Sequence, residues 1–107
     1  DSIEISVEWP TEHVRHIADL KINEMGDCWV SSTSDPGDDG PFSSALYNLG
    51  RFQIEDNQIN FYQILSRTPA FKFETHKVEG FDFIDNGIIT ATDDENFGGS
   101  IKTVYFK

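Results

Sequence analysis

The stretch TEHVRHIADLKINEM, residues 11–25, decides the fold class of this chain, because its pattern fits both a helix and a strand. As a helix it would begin after Thr11, whose side chain can cap the first turn, and end at Gly26. The apolar residues of that helix share one face: Val14, Ile17, Ala18, Ile22 and Met25. This stripe favours a helix that packs on the rest of the protein.

The same stretch also supports a strand. Leu20 lies off the apolar stripe, and the β-branched residues lower the helix propensity. A strand over residues 15–23 would turn at residues 24–27 and lead into a second strand over residues 28–32. If residues 11–25 are extended, the chain is an all-β sandwich or barrel.

Outside this stretch the sequence has mostly the pattern of short strands. Apolar and polar residues alternate over residues 2–9, and Pro10 ends this first strand. A hairpin with a four-residue loop is predicted over residues 52–61, and Asn86-Gly87 marks a second tight turn. Further strands are predicted at residues 71–73, 81–83, 88–92 and 100–106.

The short connections between these strands imply antiparallel pairing, because parallel neighbours need a longer crossover. Residues 41–49 could form a second short helix that ends at Gly50, and they could also begin a strand. We therefore predict an α+β fold, in which one or two short helices from the N-terminal half pack on a mostly antiparallel sheet of six or seven strands. The sequence has no internal repeat and no long linker, which indicates a single domain over residues 1–107.

Composition narrows the class of protein. The chain has 107 residues, of which 37% are hydrophobic and 13% aromatic, enough to form a core. No apolar run approaches the roughly 20 residues that span a bilayer as a helix, so we expect no membrane partner. The single cysteine, Cys28, cannot form an internal disulfide, which favours a cytoplasmic location.

The charge is strongly acidic and unevenly distributed. The net charge is −11, and residues 1–50 hold ten acidic residues against Arg15 and Lys21 alone. Residues 51–107 hold nine acidic and six basic residues. Such a surface repels nucleic acid phosphates and anionic membranes, and it attracts basic proteins. Direct binding of nucleic acid is therefore not expected.

No motif indicates catalysis, a cofactor or a metal site. Residues 35–40 break the alternation of an EF-hand loop, and the twelfth position counted from Asp35 is Leu46, which cannot bind calcium. His13 and His16 could face the same way, but no further pair of ligands follows at the spacing of a zinc site. A nucleophile elbow and a P-loop are also missing. We therefore expect a non-catalytic protein without a cofactor.

In size, acidity and lack of catalytic motifs the chain resembles immunity proteins that neutralise nuclease toxins. This resemblance is one of type, and no family motif carries it. It implies an inhibitor that is steered to a basic partner, such as a nuclease toxin, and covers its active site. The residues we predict to contact the partner are the acidic and aromatic ones of two polar loops: Asp35, Asp38, Asp39, Phe42, Asp93, Asp94, Glu95 and Phe97.

A second hypothesis is an accessory β-rich domain that binds a small ligand or a carbohydrate. Such a domain would expose aromatic side chains on a sheet face. It would not need the excess of acidic residues in the N-terminal half of the chain.

Overall fold

The computed structural model describes residues 2–11, 15–34, 40–65 and 67–107 of the chain, which form two antiparallel sheets. The strands are β1 (Arg15–Ile22), β2 (Asp27–Ser34), β3 (Ser43–Glu55), β4 (Gln58–Gln63), β5 (Phe71–Phe73), β6 (Val78–Ile84), β7 (Gly87–Asp93) and β8 (Gly99–Tyr105). The first sheet has the order β1-β2-β3-β4, with β5 also paired to β3. The second sheet has the order β6-β7-β8.

The prediction of an α+β fold is therefore wrong, and the all-β alternative describes the architecture. The one helical element among the described residues is a single 3₁₀ turn, Glu95–Phe97. No helix in the described part of the chain could cross a membrane. The described part of the chain has eight strands, more than the six or seven predicted. Residues 15–22 form β1 and residues 43–49 belong to β3, so neither predicted helix is present.

Residues 15–22 form a strand because nothing buries the apolar stripe that suggested a helix. Of that stripe, Ile17, Ile22 and Met25 are 40%, 51% and 67% exposed, so no core holds them to one face. The backbone of β1 instead pairs with β2 from Arg15 opposite Ser34 to Ile22 opposite Cys28. Hydrogen bonding to a neighbouring strand overrides a helix preference that packing does not support.

The turn between β1 and β2 is organised by one side chain. The Asn23 Oδ1 atom accepts hydrogen bonds from the backbone amides of Met25, at 3.0 Å, and Asp27, at 2.9 Å. Gly26 has a φ of +91°, and a Cβ there would collide with the carbonyl oxygen of Phe52. Only glycine fits this position, so Gly26 allows the chain to reverse here.

Residues 43–49 were predicted as a helix because their apolar residues are close together, but β3 is buried on both faces. Ala45, Tyr47 and Leu49 point to one face of the first sheet, whereas Leu46 points to the other. A strand covered on both faces has a continuous apolar run instead of an alternating pattern. Such a run is easily mistaken for a helix stripe.

The N-terminal segment, residues 2–10, covers one face of the first sheet without pairing as a strand. Val7 is buried among Val30, Tyr47 and their neighbours. The Trp9 amide donates to the Tyr47 hydroxyl at 3.0 Å, and that hydroxyl lies 3.1 Å from the Trp9 carbonyl oxygen, to which it donates. The alternation of residues 2–9 thus reflects packing onto a sheet, and the predicted first strand is wrong.

The second sheet covers the opposite face of the first. The side chains between the sheets are Trp29, Leu46, Phe73, Val78, Phe81 and Ile88. Polar contacts also join the two layers: the Thr33 hydroxyl lies 3.2 Å from the Val78 carbonyl oxygen, and the Val78 amide donates to the Ser44 hydroxyl at 2.9 Å. The start of β6 is therefore held against the first sheet.

The hairpin of β3 and β4 has a tighter turn than predicted. Asp56 and Asn57 have φ angles of +50° and +62°, and Glu55 lies opposite Gln58. The loop therefore has two residues in the conformation that suits the twist of a hairpin, not the four predicted. Phe52 and Phe61 lie opposite each other, and their tilted rings pack with the centroids 4.5 Å apart.

Candidate functional site

The polar turn that follows β7 forms an acidic end of the molecule, which we define as residues 93–97 together with Glu79. Asp94 is its buried centre, at 8% exposure. Its Oδ2 atom lies 2.8 Å from His76 Nδ1, and its Oδ1 atom accepts the Lys77 amide at 2.8 Å. The Asp94 carboxylate therefore holds the turn against the residues that precede β6.

Two opposing effects act on the pKa of Asp94. Burial raises the pKa, whereas hydrogen bonds from His76, the Lys77 amide and Thr92 lower it, and the hydrogen bonds outweigh the burial. The pKa of Asp94 is thus below its ordinary value, and the carboxylate is charged at neutral pH. A carboxylate used in this way stabilises the turn and is not free to bind a partner.

Lys77 connects the acidic end to the other predicted loop. Its ammonium lies 2.6 Å from Glu95 Oε1 and 3.3 Å from Glu79 Oε1. The same ammonium lies 5.8 Å from the centroid of the Phe42 ring. The structure therefore brings together Phe42 and Glu95, which are far apart in the sequence. Phe42 is only 3% exposed, so its ring closes the core beneath its loop and does not face a partner.

Phe97 is presented at the surface by a well-ordered network of backbone hydrogen bonds. Its amide donates to the Asp94 carbonyl oxygen at 3.0 Å, and the Asp94 amide donates to the Gly98 carbonyl oxygen at 2.7 Å. The exposed carboxylate of Asp93 accepts the Glu95 amide at 3.1 Å. These bonds define the turn, yet the Phe97 side chain is 74% exposed. An aromatic ring this exposed contributes nothing to the core.

The remaining predicted residues, Asp35, Asp38 and Asp39, lie outside the described residues. The chain that follows them reaches the residues before β6, because the Ser43 hydroxyl donates to the Glu74 carbonyl oxygen at 3.4 Å. The Ser44 hydroxyl donates to the His76 carbonyl oxygen at 2.9 Å. Their role in binding a partner stays a prediction.

A cleft of about 480 Å³ lies between the β1–β2 turn and the β6–β7 turn. Two of its polar side chains already bind backbone amides. Asn23 holds the amides of the β1–β2 turn, and Asp82 Oδ1 accepts the Phe83 amide at 2.7 Å. Within residues 2–11, 15–34, 40–65 and 67–107, no group of three or more potential ligands could hold a metal ion. Neither finding favours the ligand-binding hypothesis, which also stays a prediction.

No sequence pattern indicates two residues of the site, His76 and Lys77. Each contacts a residue 18 positions later in the chain, Asp94 or Glu95, and no pattern in a single sequence reveals such a contact. Comparison of the chain with protein-family models, with curated proteins and with solved structures found no match.

Proposed function

We propose that the protein is a non-catalytic binding protein whose acidic end occupies a basic site on a partner protein, as an inhibitor or immunity protein does with a nuclease toxin. One observation carries the proposal: an exposed aromatic side chain, Phe97, is mounted on a turn that a buried carboxylate holds in place. Aromatic residues that enter a pocket on the partner supply much of the binding energy of protein complexes.

The charges around Phe97 suit a basic partner. Asp93 is exposed, and Glu79 and Glu95 share a single lysine, Lys77. This leaves an excess of negative charge at the rim of the site, on a chain whose net charge is −11. Acidic residues at the rim of an interface accelerate association with basic surfaces. The aromatic side chain that becomes buried in the partner determines how slowly the complex dissociates.

The rigidity of the turn also favours binding. A turn whose backbone is already held in place loses less conformational entropy when it docks.

Charge repulsion opposes binding of nucleic acid to this surface, whereas the basic groove that a nuclease uses for phosphates is complementary to it. We place the encounter in the cytoplasm, where the free and buried Cys28 would remain reduced.

The proposal is tested by capturing a partner and measuring its binding kinetics. The immobilised chain is exposed to an extract of its native cells, and captured proteins are identified by mass spectrometry. We expect a basic protein whose association rate falls roughly tenfold between about 50 mM and about 500 mM salt. If that protein is a nuclease, an equimolar amount of the chain should abolish its activity.

Matched variants separate the anchor from general apolar surface. Phe97→Ala should accelerate dissociation roughly tenfold or more. Tyr105→Ala is the control, because Tyr105 is an aromatic residue that is 59% exposed and lies opposite Gly87, at the end of β8 that is distant from the turn. An association rate that does not respond to salt, or equal effects of the two variants, would contradict the proposal.

A further inference from the structure

Strand β4 is a sheet edge without the usual protection. Its sequence, QINFYQ, contains no charged residue, whereas each of the other seven strands in the described part of the chain contains at least one. The edge strand β1 carries Arg15, Asp19 and Lys21, and its register shifts between Ile17 and Asp19. Charges and bulges are the devices that prevent sheet edges from pairing with other chains. β4 has neither.

The side chains on and around β4 are also unusually apolar for a surface. Ile54 and Ile59 face each other across the hairpin and are 79% and 72% exposed. They continue the stripe that the Phe52–Phe61 pair begins nearer the core. Three more exposed apolar residues follow on or after β4: Tyr62, Ile64 and Leu65. Tyr62 follows Phe61 in the strand and therefore points to the opposite face of the hairpin. The edge thus exposes apolar side chains on both of its faces, which is typical of an interaction site.

The hydrogen-bonding pattern of the hairpin shows which backbone groups of β4 are unpaired. In a hairpin with a two-residue turn, the residues that flank the turn, here Glu55 and Gln58, form a hydrogen-bonded pair, and every second pair does the same. The Ile64 amide, which donates to the Leu49 carbonyl oxygen at 2.9 Å, follows this alternation. The backbone groups of Ile59 and Phe61 therefore point away from β3.

We propose that β4 pairs with β4 of a second copy of this chain, antiparallel and about a two-fold axis at Phe61, so that the first sheets of two molecules become one continuous sheet. In this arrangement Ile59 of each copy lies opposite Gln63 of the other, and the outward backbone groups of both strands are hydrogen-bonded. An isologous contact of this kind closes after two copies.

The distribution of charge along the hairpin favours a second copy as the occupant. The acidic residues Glu55 and Asp56 lie at one end of the uncharged stretch, and Arg67 lies at the other. Antiparallel pairing centred on Phe61 brings the acidic end of each copy towards the basic end of the other. Elsewhere the net charge of −11 keeps two copies apart, so an uncharged edge is where they can meet.

The main test is a charge introduced at the edge. The wild-type chain is expected to show a concentration-dependent dimer in analytical ultracentrifugation, and Ile59→Lys should raise its dissociation constant at least about tenfold. Ile101→Lys is the control, because Ile101 is 73% exposed on a strand and the substitution changes net charge equally. A chain that stays monomeric up to about 1 mM, or equal weakening by both variants, would overturn the proposal.

A second measurement reads the backbone directly and does not depend on any variant. Hydrogen exchange of the Ile59 and Phe61 amides should slow as the protein concentration rises into the dimer range. The Asn60 and Tyr62 amides, which face β3, should be protected at every concentration. If the Ile59 and Phe61 amides exchange at the same rate in monomer and dimer, the copies associate through another surface.

Neutralisation of Asp56 tests the orientation of the two strands. Asp56→Asn keeps a residue that tolerates the φ of +50° at this position, and it should weaken the dimer several-fold. Asp85→Asn, an equal change in charge at the exposed β6–β7 turn, should not. Equal effects of these two variants would contradict the antiparallel arrangement. The Phe97→Ala variant should dimerise like the wild type, so failure of the proposed function would not affect this result.

Discussion

Phe97 and Ile59 are almost equally exposed, at 74% and 72%, but they lie in contrasting surroundings. Phe97 projects from a turn in which the amides of residues 93–95, 97 and 98 donate hydrogen bonds, and three acidic residues precede it nearby. Ile59 lies on a strand without charge, and its backbone groups point away from β3. The exposed fractions of the two side chains are therefore similar, whereas the charges and the available hydrogen-bonding groups around them differ.

This difference determines the kind of partner that each surface can accept. A turn whose backbone is already satisfied offers side chains only, so the acidic end can recognise a basic surface of complementary shape. A free sheet edge offers its backbone, so β4 can accept another strand. The same protein thus has two exposed apolar surfaces with different binding modes.

The largest expected effect is a loss of stability when a glycine with positive φ in the β3–β4 hairpin is replaced. Gly50, with a φ of +146°, lies where the β3–β4 hairpin leaves the body, and a Cβ there would collide with the Tyr62 carbonyl oxygen. Gly50→Ala should separate β4 from β3 and lower the free energy of unfolding by about 3–5 kcal/mol. Urea denaturation followed by circular dichroism measures the change.

Gly98→Ala is the matched control at the acidic end. Gly98 has a φ of +85°, but a Cβ there would have no atom within 4 Å. Only the backbone strain of an alanine at a φ of +85° and a ψ of −163° remains, which costs about 1–3 kcal/mol. Equal losses for the two variants would show that the hairpin is not held by the close approach of Gly50 to β4.

A smaller effect is expected from the buried carboxylate of the acidic end. Asp94→Ala would leave the Lys77 amide and the His76 ring without their partner, and it should lower the free energy of unfolding by about 2–3 kcal/mol. Asp93→Ala, at the exposed neighbour, should change it by less than about 1 kcal/mol. If Asp93→Ala lowers the free energy of unfolding more than Asp94→Ala does, the buried carboxylate is not what stabilises the turn.

The pH dependence of stability gives the smallest and most specific effect. Because the pKa of Asp94 is lower in the folded protein than in the unfolded chain, its contribution to stability is complete above its ordinary pKa. That contribution is lost as the pH falls through the folded-state value. Asp94→Asn should therefore lose less stability than the wild type between about pH 5 and about pH 2.

The control for the pH measurement is Asp93→Asn, which should follow the wild-type curve. Urea denaturation at each pH gives the free energy of unfolding for all three proteins. Parallel curves for the wild type and Asp94→Asn would contradict the depressed pKa of Asp94.

Much of the C-terminal half of the fold was predictable from local pattern. The alternation around Phe71 and Phe73 predicts a strand that the structure confirms, and Asn86-Gly87 forms a tight turn between β6 and β7. The N-terminal half was not predictable in the same way. Residues 15–22 have a helical pattern of apolar residues, but those residues are exposed, and only the position of β2 beside them explains the strand.

The candidate site was predictable in composition but not in the role of each residue. The sequence shows that Phe97 is an apolar residue inside a polar loop, and such a residue more often fills the core beneath its loop, but Phe97 is exposed. It does not distinguish Asp94, which is buried and bonded to His76, from Asp93, which is exposed. Three consecutive carboxylates look alike in a sequence, because burial depends on residues that are distant along the chain.

The sequence by itself determined the acidic charge, the tight turns and the uncharged segment that becomes β4, because these properties depend only on local residue types. The tertiary structure alone decided that both faces of β3 are covered, that Asp94 is enclosed and that β4 lies at an edge. These features depend on which strands become neighbours. Strand pairing joins residues far apart in the chain, so it is set by the packing of the whole molecule.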